Sequence, residues 1–355
     1  MGKQGGRLRV GLLGYGFAGK TFHAPLINAE AGLELVAVAS SNAKRVQDDL
    51  PDVRVCTPDE LISTPEIDLV VVATPNDSHA PLARAALQAG KHIVVDKPFT
   101  LDLAEARVLV ALAEACNRKL TVFHNRRWDS DFLTVRGAIE RGVIGKVSHF
   151  ESHFDRFRPE VVDRWRERDT PGSGVWFDLG PHLIDQALQL FGLPDRICAS
   201  MACQRVGAAT DDWAHVVLEF GACRAVLHAS MLAAGGHNRF VVHGDKGTIV
   251  KRHLDQQEAQ MKAGMVPGSP GWGRDEDPLQ IYRTDGAEAS EPALAGDQRS
   301  FYAGVAGAVR DGADLPVSPY QAIAVMAVLE AAKIAAHTGE AQTLQLSDGE
   351  RRAWK

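Results

Sequence analysis

Along the first 125 residues, short apolar runs alternate with segments of helical spacing. The runs are Leu8 to Leu13, Leu33 to Ala39, Leu69 to Ala73, Ile93 to Val95 and Leu120 to Phe123. Largely unbroken apolarity marks strands covered on both faces, so the pattern predicts an α/β Rossmann domain with a parallel, doubly wound sheet. Helices are predicted at His79 to Ala89 and at Leu103 to Cys116, the second capped by Asp102 or Thr100. In such sheets ligands sit beyond the carboxyl ends of the strands. Gly14, Ser40, Thr74 and Lys97 all follow predicted strands directly and so belong to one crevice.

From Val147 the period changes to two: Val147 to Phe157, Ile197 to Gln204, Trp213 to Phe220, Arg224 to Met231 and Arg239 to His243. This predicts a mostly antiparallel sheet in an α+β domain, and divides the chain into residues 1–125 and 126–355. Met261 to Gly296 is rich in Gly, Pro and acidic residues and reads as an irregular excursion. Helical spacing returns at Gln298 to Val309 and at Ser318 to Ala336, with Ser318 as cap and Pro319 in the first turn.

Bulk properties narrow the partners. With 355 residues, 45% of them hydrophobic, the chain can bury two cores, and a net charge of −6 offers no basic field for nucleic acid or anionic lipid. Five cysteines, odd in number and without metal-type spacing, fit a reducing compartment. The stretch Met1 to Arg7 lacks an apolar leader core, Gly6 stands where acylation wants Ser or Thr, and no stretch approaches bilayer-spanning length. A cytoplasmic location is the expectation.

Three short elements carry candidate chemistry. Gly14-Tyr15-Gly16-Phe17-Ala18-Gly19 follows a strand and precedes helical spacing at Phe22, Leu26 and Ile27, the order a dinucleotide fingerprint requires. The first glycine makes the turn, the second lets backbone approach the pyrophosphate, and the third lets helix and strand pack. About 20 residues on, where an acidic residue would hold the ribose hydroxyls of NAD, the chain has Ser40-Ser41-Asn42 followed by Lys44 and Arg45. Small hydroxyls and a cation accept a 2′-phosphate through charge-assisted hydrogen bonds, which predicts NADP over NAD. The alternative is that Lys44 and Arg45 only solvate a helix.

Lys97, at a strand end and ahead of Pro98, can hold a substrate oxygen as alkoxide character develops, or be a surface lysine. Asp178 and His182 supply a carboxylate and an imidazole suited to proton transfer near neutral pH; alternatively they are a cap and a surface group. Pro181 fits best in the first turn of a helix whose apolar stripe is Ile184, Ala187, Leu188 and Phe191, with His182 facing away from it; a helix continuous through Pro181 would instead put Asp178 and His182 at i and i+4. At another strand end, Thr74, Pro75, Asn76 and His79 are candidates to contact nicotinamide or ribose, or to form a turn and cap. His124 to Asp129, with Arg127 as a cofactor candidate, lies at the domain junction and either closes over cofactor or forms salt bridges. His149, Glu151, His153 and Asp155 share one face of a strand, but a polar sheet face gives the same pattern and no third histidine is placed by sequence, so a partner surface or substrate wall is expected there and no metal site.

In combination these residues resemble the glucose-fructose oxidoreductase, inositol dehydrogenase and MocA family over nearly the whole chain. Asp96-Lys97-Pro98 is similar to the family's Glu-Lys-Pro signature with Asp for Glu, and Asp178 and His182 match its aspartate and histidine four apart. The resemblance implies that Lys97 and His182 serve proton transfer with Asp178 in support. Gly14 to Gly16, Lys20 to Pro25, His124 to Phe132 and Phe150 to Arg156 are similar to a bacterial branch that includes NADP-dependent scyllo-inositol 2-dehydrogenases. That implies a cyclic polyol or sugar substrate, and pairing through the open face of the second sheet into dimers or tetramers. The competing readings are a reductase of linear sugars or dihydrodiol-type substrates and a non-catalytic NADP-binding sensor.

Overall fold

In the computed structural model, which describes residues 6–354, the apolar runs become a six-stranded parallel sheet. Most of the amino-terminal stretch inspected for a leader or acylation signal lies outside the described residues. The strands are β1 (Leu8–Leu13), β2 (Leu33–Ala39), β3 (Arg54–Cys56), β4 (Leu69–Val72), β5 (His92–Val95) and β6 (Leu120–Val122), in the order β3-β2-β1-β4-β5-β6. The direction of winding reverses between β1 and β4, the place where doubly wound sheets bind ligands. Helices α1 (Ala24–Asn28), α2 (Ala43–Asp49), α3 (Pro58–Ser63), α4 (His79–Gln88) and α5 (Leu103–Ala115) connect the strands. Asp102 caps α5 by accepting from the Glu105 N–H. Of these six strands only β3 escaped the sequence reading: Arg54-Val55-Cys56 is short and partly exposed, not an unbroken apolar run.

The second sheet has eight strands in the order β14-β13-β12-β11-β7-β10-β9-β8. After α6 (Ser130–Glu140) come β7 (Val147–Asp155), α7 (Val175–Phe191), β8 (Arg196–Ala202), β9 (Trp213–Phe220), β10 (Cys223–Ser230), β11 (Phe240–Gly244) and β12 (Gly247–Lys251). All neighbours pair antiparallel except β7 and β10. One face packs on α7, with Phe150 against Phe191 at 5.3 Å between ring centroids and Phe154 against His182. Ala214, Val216, Leu218, Ala225 and Leu227 are fully buried on that side, while the alternate residues Trp213, His215 and Val217 are not.

The segment read as irregular is partly ordered. It takes in the end of α8 (Gln257–Lys262), then β13 (Leu279–Arg283) and β14 (Glu288–Glu291), which complete the sheet edge. Backbone pairing supplies the order that side-chain pattern did not announce. Contacts also regroup the chain: residues 257–272 and 297–323, the latter including α9 (Arg299–Arg310), cluster with residues 1–125. Thr121 donates to the Val317 carbonyl at 2.7 Å, and Phe123 meets Phe301 edge to face at 4.9 Å. The helix α10 (Pro319–Thr338) is long and apolar enough by length and composition to cross a bilayer, contrary to the expectation from sequence; most of it is buried inside the protein, so its apolarity serves the core.

Candidate active site

The glycine turn is enforced by backbone crowding. Gly14 has φ +98°, and a Cβ there would lie 2.5 Å from the Ala73 carbonyl oxygen. A Cβ on Gly19 would lie 2.2 Å from the Gly14 carbonyl oxygen, whereas one on Gly16 would meet nothing within 4 Å. Gly14 and Gly19 therefore keep the turn tight, and Gly16 keeps its outer side open for a close ligand approach. Phe17, half exposed, stands beside it with Ala18, and Lys262 lies 5.1 Å from the Phe17 ring centroid. These features fit the pyrophosphate of a dinucleotide.

At the end of β2, Ser40 Oγ accepts from the Asn42 N–H at 3.1 Å, and the Asn42 side chain caps α2 by accepting from Arg45 N–H. Ser41 is exposed. The Lys44 ammonium is exposed and paired with Asp48 at 2.6 Å, one turn along. Lys20 pairs with Asp49 at 2.6 Å, and burial together with Asp49 pushes the Tyr15 phenol up to about 12.

Lys97 follows β5, and its environment is built by Asp96 together with His23 and Tyr302, to which the sequence reading assigned no role. Asp96 accepts the Lys97 N–H through Oδ1 at 2.8 Å, and His23 Nε2 stands 3.8 Å from the same oxygen. His23 Nδ1 in turn contacts the Tyr302 hydroxyl at 2.6 Å. Burial alone would raise the Asp96 carboxyl, but His23, Lys97 and His79 outweigh it and hold it down at about 2. The carboxylate thus stays charged under the backbone of Lys97. No local signal marked this chain of contacts, because His23 and Tyr302 are 279 residues apart.

Both ring nitrogens of His79 are engaged by backbone carbonyls. It is 1% exposed, with Nδ1 2.9 Å from the Pro98 carbonyl oxygen and Nε2 3.0 Å from that of Thr74. Burial lowers its affinity for a second proton, more than the nearby Asp96 raises it. The ring ties together the loops after β4 and β5, and those loops carry Thr74, Pro75, Asn76 and Lys97. Asn76 is buried at the start of a short 3₁₀ turn.

The second group of candidates lies on α7. The helix is continuous from Val175 to Phe191 with Pro181 inside it, so Pro181 is not in the first turn as expected, and Asp178 and His182 stand at i and i+4. Its start is capped from afar: the Asp211 carbonyl accepts from Val175 N–H and its carboxylate from Trp176 N–H, both at 2.8 Å. Gly174, with φ +93°, is required there, since a Cβ would lie 2.2 Å from the Asp211 carboxylate. His182 is 6% exposed and stacks on Phe154 of β7, so it faces the sheet rather than away from the core.

Asp178 is held by two arginines that sequence reasoning missed, Arg156 Nη1 at 3.1 Å and Arg166 Nε at 3.6 Å. The guanidinium carbons of Arg126, Arg156 and Arg239 lie 4.9, 5.4 and 5.7 Å from the Phe154 ring centroid. Positive charge therefore gathers around the ring on which His182 rests. Arg127, expected at the cofactor, is buried and forked onto Asp185, with Nη2 at 2.6 Å and Nε at 2.9 Å. One turn from His182, this pair fixes the rotation of α7.

Comparison with known proteins agrees with this geometry. Residues 8–124 match a family model described as the oxidoreductase family's NAD-binding Rossmann fold, and residues 136–346 match its C-terminal alpha/beta domain. The chain is 50% identical over 327 residues to the uncharacterized oxidoreductase YdgJ of Escherichia coli, covering 91% of this chain and 94% of the relative. It is 35% identical to scyllo-inositol 2-dehydrogenase (NADP(+)) IolW of Bacillus subtilis, covering 92% of each. A crystal structure of an oxidoreductase from Klebsiella pneumoniae superposes with a TM-score of 0.93 at 55% identity, covering 99% of this chain and 98% of that one. The chain belongs to the glucose-fructose oxidoreductase, inositol dehydrogenase and MocA family of nicotinamide-dependent oxidoreductases.

Proposed function

We propose that the protein interconverts a secondary alcohol of a cyclic polyol, of the inositol class, and its ketone, with NADP as the hydride carrier. The observation that carries this reading is the pair on α7: a buried imidazole stacked on Phe154, one turn after a carboxylate held by two arginines. A bound nicotinamide supplies the hydride-accepting carbon. His182 takes the hydroxyl proton of the alcohol on its imidazole, and the ammonium of Lys97 is suited to hold an oxygen on which negative charge grows. Asp178, fixed by Arg156 and Arg166, stabilises the imidazolium that results.

The inositol class is supported by the names of two relatives, the Bacillus enzyme and an inositol 2-dehydrogenase of Rhizobium meliloti at 31% identity over 92% of this chain. NADP is supported by the absence of a carboxylate at Ser40 to Asn42 and by the exposed ammonium of Lys44, which exchanges Asp48 for a phosphate at little cost since exposed ion pairs are weak. The half-covered second sheet offers the surface for pairing with a second copy.

A panel of inositol isomers, pyranoses and small ketones, assayed with both cofactors, tests this. Turnover of a cyclitol with a higher kcat/KM for NADP is expected. Preference for NAD removes the cofactor assignment, reaction only with open-chain carbonyls replaces the substrate class, and tight cofactor binding without turnover leaves a sensor. Sedimentation of the purified chain as a single copy overturns the pairing.

A further inference from the structure

The face of the second sheet turned away from α7 gathers histidines. His149 and His153 on β7, His215 on β9, His228 on β10 and His243 on β11 alternate with the buried residues of their strands and are in register as neighbours. His237, in the loop between β10 and β11, joins them through Asp155: its Nδ1 lies 2.6 Å from Oδ2. Within this group one subset has the character of a ligand set. One donor atom each from His153, Asp155, His228 and His237 lie within 4.8 Å of one another.

A carboxylate outside the set supports one donor, and two donor atoms are buried without a hydrogen-bond partner. Glu151 engages His153 Nε2 at 2.9 Å, which places the ring proton there and leaves Nδ1 as the lone pair; that Nδ1 is buried and has no hydrogen-bond partner. A carboxylate behind an imidazole is the usual support of a metal-bound histidine. His228 Nε2 stands 3.7 Å from Asp155 Oδ1, and that buried oxygen has no hydrogen-bond partner either.

We propose that His153, Asp155, His228 and His237 form a four-coordinate site for a divalent zinc-type cation, which pins the loop after β10 to the open face of the sheet. Three imidazoles and one carboxylate suit zinc. Tetrahedral zinc with bonds of about 2.05 Å sets its ligands about 3.3 Å apart, so the side chains close by roughly an ångström. The His237 to Asp155 hydrogen bond gives way to two metal bonds as the ring proton leaves. The site lies on the sheet face opposite Phe154 and α7, so it is independent of the proposed alcohol chemistry.

The test is zinc titration of the full-length protein after chelator treatment, by calorimetry and by metal analysis of the dialysed sample. The expected result is one zinc per chain and a zinc-dependent rise in Tm. It is abolished by His228→Gln and by His237→Ala, a loop change that leaves the sheet intact, and unchanged by His149→Gln on the same face. Glu151→Gln weakens binding roughly 10- to 100-fold while all four donors remain. Cobalt in place of zinc gives the intense visible absorption of a four-coordinate site. Absence of stoichiometric zinc from the wild-type protein overturns the proposal, as does binding that survives both His228→Gln and His237→Ala.

Discussion

The two sheets solve the problem of cover differently. The first has helices on both faces, and Leu12, Leu13, Val70, Val71 and Val94 are all fully buried in succession along their strands. The second has α7 on one face, and along β9 buried and partly open positions alternate. A sheet covered on both sides has only its strand ends free for chemistry, and there Gly14, Thr74 and Lys97 stand. One covered on a single side can place chemistry on the packed helix and, separately, on the open face. This is why Asp178 and His182 sit on α7 while the cluster of histidines sits on the other side.

Substitutions can break that contrast, beginning with the chemistry. Lys97→Met at a strand end and His182→Asn on α7 should each lower kcat by about 10²- to 10⁴-fold with little change in cofactor affinity, measured by steady-state kinetics and fluorescence titration. Near-normal turnover in both would remove the proton-transfer assignment. Next in size, Phe150→Ala on the covered face should cost about 3–5 kcal/mol in denaturant unfolding, since Phe150 is fully buried against Phe191. Val217→Thr on the open face should change chain stability by no more than about 0.5 kcal/mol. Equal losses would mean that the second sheet is covered on both sides as the first is.

Gly16→Ala sharpens the account of the glycine turn. Its Cβ meets no protein atom, so Tm should hold while the KM for cofactor rises about tenfold. Gly14→Ala should lower Tm as well, through its φ and the Ala73 carbonyl. The smallest effect is in acid. His92 on β5 and His228 on β10 are both held down at about 4 by burial, so each is neutral in the folded chain over a range where the unfolded chain takes up a proton. Their contribution is complete above the ordinary imidazole pKa of about 6.5, declines as pH falls toward 4, and is flat below it. Tm measured across that window in His92→Gln and His228→Gln should fall less steeply than in the wild type.

Much of this was legible in residue order, for reasons that differ by region. Strands covered on both sides write long apolar runs, so β1, β2 and β4 were read nearly residue for residue. The strands β13 and β14 were lost inside a Gly- and Pro-rich stretch because edge pairing needs no apolar pattern. Lys97, Asp178 and His182 stand out as candidates through their place in short motifs. What holds them does not: Tyr302 and His23 beside Asp96, Arg156 and Arg166 on Asp178, and Arg127 on Asp185.

By itself the chain determined its periods: which segments are strands and helices, where the glycine turn falls, and that His149, Glu151, His153 and Asp155 share a strand face. Local sterics and the burial of alternate side chains act over a few residues, so these are written locally. Only the tertiary structure decided which distant groups meet. Pairing β10 beside β7 sets His228 opposite His153, and a loop brings His237 to Asp155, 82 residues away. Sheet order is a property of the whole packed core, and no window of sequence contains it.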